Sequence, residues 1–186
     1  MCFICDGGTE EEAFTDEFVN IAVHGFTMIQ VEGVPSWTYT IGLAQSFDHP
    51  ELVVTGLPDG AWGFINDVVD HIREGERFDA FSPPLPLCGC VSVAFGAVHA
   101  EQWTHGRFDQ WLSYYHRLGE GPPVPDVVQV LWPDKEGRFP TEPGFCPEHR
   151  PTCQPLLDVA PRHDVHTGPN REQRRRAKRG HGKRKP

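Results

Sequence analysis

Nineteen glycines and eighteen prolines break up this 186-residue chain. Glycine supplies positive φ and proline fixes φ while removing a donor, so punctuation this dense forces frequent turns. A helix bundle is therefore excluded, and a loop-rich fold of short elements is expected. A hydrophobic fraction of 38% with 11% aromatics still provides for one buried core, and the length fits one domain.

Local patterns give the elements. Thr9-Glu10-Glu11-Glu12 reads as a capping box opening a helix, with Phe14, Phe18, Ile21 and Ala22 at helical spacing and Gly25 as its stop. Phe26 to Val31 and Trp37 to Leu43 read as the strands of a hairpin, and Glu51 to Thr55 as a third strand with Glu51 at its solvated end. Ala61 to about Glu74 is an amphipathic helix with Phe64, Ile65, Val68, Val69 and Ile72 on one face. Phe81 to Cys90 is a proline-rich loop and Val91 to His99 a strand. Phe108 to Leu118 is a helix with Trp111, Leu112 and Tyr115 inward, and Val127 to Trp132 is a buried strand. Trp37, Trp62, Trp103, Trp111 and Trp132 are mostly core candidates. The predicted class is α+β: a mostly antiparallel sheet of about five strands with about three helices packed on it. This body occupies residues 1–158, and residues 159–186 are expected to be a disordered linker and basic tail.

The charge is divided between those parts. Arg171 to Pro186 holds nine Lys/Arg and one Glu, a net +8, which leaves −17 on the remainder. Within the tail, Asn170 can cap, and Arg171, Arg174, Arg175, Lys178 and Arg179 fall on one helical face, with Arg176 beside them. Like charges this dense repel, so a polyanion would be needed to order the segment. Non-specific contact with nucleic acid or ribosomal RNA, weakening with salt, is one expectation. The tail has no aromatic for base stacking, which argues against sequence readout. A fold-back onto the acidic body, or contact with an acidic protein partner, is the other.

No apolar run is long enough to cross a bilayer, and Met1 to Asp6 lacks a basic leader. A cytoplasmic, reducing location is expected. There the six cysteines read as metal ligands, redox groups or buried packing rather than disulfides. Cys2-x2-Cys5 and Cys146-x2-His149 with Cys153 offer five ligands of the kind zinc takes in a tetrahedron. Such a site would clip the N-terminus to the segment before the tail. A redox dithiol at Cys2 and Cys5 is open as well, as is a four-cysteine site with Cys88 and Cys90. Packing is the simpler reading of Cys88 and Cys90.

His24, Tyr39, Thr40, His49 and Glu51 form a polar group about the predicted sheet, and imidazole beside carboxylate is able to do acid–base work. No nucleophile elbow, phosphate loop or His-Glu-x-x-His accompanies them. The balance of the sequence therefore leans away from an enzyme and toward a binding or regulatory domain.

Several of these segments recur together in one bacterial family. Tyr39-Thr40-Ile41-Gly42-Leu43, His49-Pro50-Glu51-Leu52-Val53-Val54-Thr55-Gly56-Leu57 and His24-Gly25-Phe26 carry the resemblance. So do Leu131-Trp132-Pro133-Asp134 with Gly137-Arg138-Phe139-Pro140, Gln154-Pro155-Leu156-Leu157 and the head Cys2-x-x-Cys5. Over roughly residues 2 to 158 the chain resembles the domain of unknown function 4262. The resemblance implies a shared fold and no assigned activity. The Cys146/His149/Cys153 cluster and the basic tail depart from the family pattern.

Overall fold

The computed structural model describes residues 9–57, 59–87, 91–104, 106–119, 126–145 and 154–161. Its elements run α1 (Glu10–His24), β1 (Thr27–Val31), β2 (Trp37–Ile41), α2 (Leu43–Phe47), β3 (Glu51–Thr55), α3 (Ala61–Arg73), β4 (Leu85–Pro86), β5 (Ser92–Ala97), a 3-10 turn (Ala100–Thr104), α4 (Asp109–Arg117) and β6 (Val127–Leu131).

The expected capping box is present. The Glu12 amide donates to Thr9 Oγ1 at 3.2 Å, the Thr9 amide donates to Glu12 Oε2 at 2.8 Å, and Gly25 closes α1 at φ 84°. The hairpin pairs Thr27 with Ile41 through Val31 with Trp37. The full sheet has the order β1-β2-β3-β6-β5-β4, antiparallel throughout except for the parallel pair β3–β6. This is the α+β, mostly antiparallel architecture read from the sequence.

Period-two alternation sends side chains to both sides of the sheet. On one side Leu52, Val54, Val128 and Val130 pack against Ile65, Val68, Val69 and Ile72 of α3. On the other, Trp37, Tyr39, Ile41 and Val53 meet Ile21 of α1, Trp103, and Phe108, Trp111, Tyr114 and Tyr115 at α4. Every residue of β2, β3 and β6 is buried, as expected for central strands covered on both faces.

The structure departs from the sequence reading at several places. The proline-rich loop contains the two-residue strand β4, paired with β5 through Leu85 and Val93. The second strand stops at Ile41 rather than Leu43, because Gly42 takes φ 109° and turns the chain into α2. A Cβ at Gly42 would lie 2.9 Å from Ile21 Cγ2, so only glycine fits this turn. In α1 the buried face is Glu17 and Ile21, with Phe14 partly buried, while Phe18 is 48% exposed. Trp62 of α3 is also exposed, at 45%, where it lines the cleft beside β1.

Candidate functional site

Of the five polar candidates, Thr40, His49 and Glu51 lie about the β2–β3 connection and are engaged by the fold. Glu51 is not at a solvated strand end: it is 1% exposed. The β2–β3 ladder pairs Trp37 to Tyr39 with Thr55 to Val53. Beyond it, side chains take over from backbone. The Leu52 amide donates to Thr40 Oγ1 at 2.8 Å, and Thr40 Oγ1 donates to Glu51 Oε2 at 2.6 Å. Glu51 Oε1 accepts from the amides of Gly42 at 2.8 Å and Ala44 at 3.4 Å. Gly42 has no capping side chain of its own, so Glu51 satisfies the orphan amides that open α2. Burial pushes its carboxyl upward, and the Thr40 hydroxyl and backbone amides pull the other way. Every group facing it is a donor, so the nest is built for the ionised carboxylate.

His49 is 2% exposed, and both ring nitrogens are spent. Nδ1 lies 2.7 Å from Pro50 O, which only accepts, so Nδ1 carries the proton. The Phe78 amide then donates to Nε2 at 2.9 Å. Burial lowers the imidazole pKa, so the ring is neutral. It staples the entry of β3 to the segment after α3. His49 and Glu51 thus lie two residues apart, each with its polar atoms committed to other partners. His24 sits exposed in the last turn of α1.

Tyr39 is different. Its ring is fully buried and its hydroxyl has no hydrogen-bond partner of normal geometry. Burial, with the carboxylates of Glu17 and Asp109 nearby, holds the phenol protonated, although the amides of Trp111 and Gln110 favour its ionised form. Tyr39 lines a cleft of about 720 Å³ between α1, strand β1 and the first turn of α4. β1 is an edge of the sheet, and no other described strand pairs with its outer side. Four carboxylates face the cleft, Asp16, Glu17, Glu32 and Asp109, against one guanidinium, Arg107. Arg107 lies over the Trp37 ring, 4.3 Å from its centre, and burial lowers its pKa. Glu17 is 8% exposed; Gln110 Nε2 donates to its Oε1 at 2.5 Å. Burial raises its pKa, opposed by Gln110 and by Arg117.

Of the cleft residues, sequence reading singled out Tyr39 as a polar candidate and Trp62 as a core one. Asp16 and Glu17 come from α1, Glu32 follows β1, and Asp109 opens α4, so no local motif joins them. A second cluster was also unforeseen. Ligand atoms of His71, Glu74 and Glu76 lie within 4.8 Å of one another and could hold a metal ion. His71 Nδ1 is 2.9 Å from Glu76 Oε1, and the group is largely solvent-exposed at the end of α3. The expected zinc ligands Cys2, Cys5, Cys146, His149 and Cys153 lie outside the described residues. So do Cys88, Cys90 and the tail residues Arg171, Arg174, Arg175, Arg176, Lys178 and Arg179.

The fold defines an α+β domain with a mixed six-stranded sheet, covered by helices on both faces. The chain belongs to the family described as domain of unknown function DUF4262, whose model matches residues 20–146. That span is narrower than the resemblance read from the sequence: Cys2, Cys5 and the Gln154–Leu157 segment fall outside it. Neither the curated proteins nor the solved structures provide a match. No helix among the described residues is long and apolar enough to cross a membrane.

Proposed function

We propose that this protein is a binding domain whose β1 cleft takes a cationic ligand, and that it is not an enzyme. The carrying observation is the cleft itself, with four carboxylates against one guanidinium. A cation seated there meets Glu17, relieving a carboxylate that burial has made costly to ionise. The alternative, acid–base catalysis by His49 and Glu51, is disfavoured because the fold already uses their polar atoms. The test is calorimetric titration of a hexa-arginine peptide into the full chain and its D16N/E17Q variant. Binding to the wild type, weakened at least fivefold in the variant and by added salt, is the expected result. Equal affinity for both proteins overturns the reading.

The charge division supports a second role. Nine Lys/Arg in residues 171–186 would release counterions on meeting a polyanion, so the tail is read as a non-specific nucleic-acid contact. A duplex oligonucleotide should bind with a steep salt slope that disappears when the tail arginines are replaced by glutamine. A cytoplasmic site of action and a zinc clip joining Cys2 and Cys5 to Cys146, His149 and Cys153 complete this proposal.

A further inference from the structure

The two edges of the sheet are built differently. Among the described residues, β4 ends the sheet on one side with only Leu85 and Pro86, which leaves almost no ladder to extend. Shortness and proline are devices by which natural sheets blunt an edge. β1, on the other side, has neither. It pairs with β2 through five consecutive residues, Thr27 to Val31, in unbroken register, and it contains no charge, proline or glycine. No described strand pairs with its outer side. A regular antiparallel edge of this kind turns the N–H and C=O of every second residue outward.

The cleft follows that edge. Met28, Ile29, Gln30 and Val31 all line it, although successive residues of a strand point to opposite faces. Met28 packs with the core on the α3 side, and Ile29 and Val31 with the core beneath α1 and α4. What the four share is the outer rim of the strand, so the cleft runs along the rim with walls from both faces. Those walls differ in chemistry. Asp16, Glu17 and Asp109 come from α1 and α4 on one face, and the exposed Trp62 comes from α3 on the other.

We infer that β1 accepts an extended polypeptide segment of a partner as a seventh strand, one in which basic side chains alternate with apolar ones. The inference rests on the cation-binding reading above and names its ligand class. The unprotected edge supplies main-chain pairing, which by itself selects no sequence. The two walls supply the selection. Alternate side chains of an added strand fall on the α1 and α4 side, where carboxylates meet Lys or Arg, and the others fall toward Trp62. Charge decides against a second copy of this chain as the occupant. Pairing β1 with β1 would set Asp16, Glu17, Glu32 and Asp109 near the same four carboxylates of the other molecule, whereas a basic segment is attracted.

The test uses the full chain and a fluorescein-labelled hexapeptide in which arginine and valine alternate, followed by anisotropy at low salt. Two further forms carry N-methyl groups on every arginine amide or on every valine amide. In an added strand one set of amides faces β1 and the other faces solvent. One methylated form should therefore bind about tenfold more weakly than the parent, and the other within about twofold of it. Trp62→Ala should weaken the alternating peptide about threefold and leave hexa-arginine unchanged. Equal affinity of all three forms, or equal loss in both methylated ones, overturns strand addition; persisting hexa-arginine binding then leaves the cation-binding reading in place. Unchanged binding of the alternating peptide to Trp62→Ala overturns the basic–apolar alternation. If neither the alternating peptide nor hexa-arginine binds, the cation-binding reading fails as well. The chain alone should sediment as a monomer; a dimer that the peptide dissociates would give the edge to a second copy and overturn the proposal.

Discussion

Gln154 pairs with Trp132 as one strand residue pairs with another. The Trp132 amide donates to Gln154 Oε1 at 3.0 Å, and Gln154 Nε2 donates back to Trp132 O at 2.6 Å. A side-chain amide thus replaces a backbone unit just past the end of β6, and Trp132 Nε1 donates to Thr55 O at 3.0 Å to tie in β3. Gln154→Ala should therefore cost about 2–3 kcal/mol, because both Trp132 backbone groups lose their partner. Gln154→Glu should cost more, since a carboxylate oxygen would then face Trp132 O. Urea unfolding of the two variants measures the order; equal costs would remove the reciprocal pairing as the cause.

Glu51 offers a sharper contrast. Glu51→Ala orphans the buried amides of Gly42 and Ala44 and the Thr40 hydroxyl together, at a cost of about 3–5 kcal/mol. Glu51→Gln keeps one acceptor for the amides but turns an NH2 toward Thr40, so about 1–2 kcal/mol is expected. Denaturant midpoints of both variants, with unchanged denaturant dependence, check this.

His49 gives the fold a pH dependence. Its folded-state pKa is lowered from about 6.5 by burial, so the unfolded chain binds the proton more readily. Its contribution is full above pH 6.5 and is lost as pH falls toward and through the folded-state value. His49→Gln retains an acceptor for the Phe78 amide without titrating. Thermal melts from pH 7.5 to 5 should fall less steeply for this variant than for the wild type.

Glu17 and Tyr39 separate stability from binding. Burial raises the Glu17 pKa, so its ionisation opposes folding above the folded-state value, and the penalty vanishes below about 4.5. Glu17→Gln should hold or raise stability at pH 7, with the gain gone at pH 4. Tyr39→Phe removes a buried hydroxyl that the Trp111 and Gln110 amides contact only with poor alignment, so stability should change by less than about 1 kcal/mol. Glu17→Gln should nonetheless bind hexa-arginine more weakly, whereas Tyr39→Phe should bind it unchanged. Unchanged binding by Glu17→Gln would assign Glu17 to the core alone.

Metal content distinguishes two possible sites. Zinc at about one ion per chain, lost in Cys2→Ser/Cys5→Ser but retained in His71→Ala, is expected if the cysteine-rich segments hold it. Retention in the first variant and loss in the second would move the ion to the exposed His71, Glu74 and Glu76 group.

Local signals carried most of the fold. Thr9 and Glu12 announce the start of α1, and the alternation of Trp37, Tyr39 and Ile41 fixes the face of β2. What could not be read depends on contacts between distant segments. Glu51 resembles any acidic residue after a His-Pro turn until α2, opened by Gly42, brings its amides to the carboxylate. Glu17 displaced Phe18 from the buried face because Gln110, 93 positions away, supplies its partner. The cleft has no sequence motif because four separated segments build it around an edge strand.

Residues 154–161 give the sheet a fastening that no strand supplies. The Gln129 side chain, the His99 amide and the Gln102 side chain all bond to this one short segment, so β6, the residues after β5 and the 3-10 turn share a single tie. Gln129 is fully buried, so losing the segment would leave its side-chain amide without these partners inside the core. A stretch that lies beyond the family-matched residues is thereby as much a part of the core as the strands it fastens, and Leu157 is buried among them.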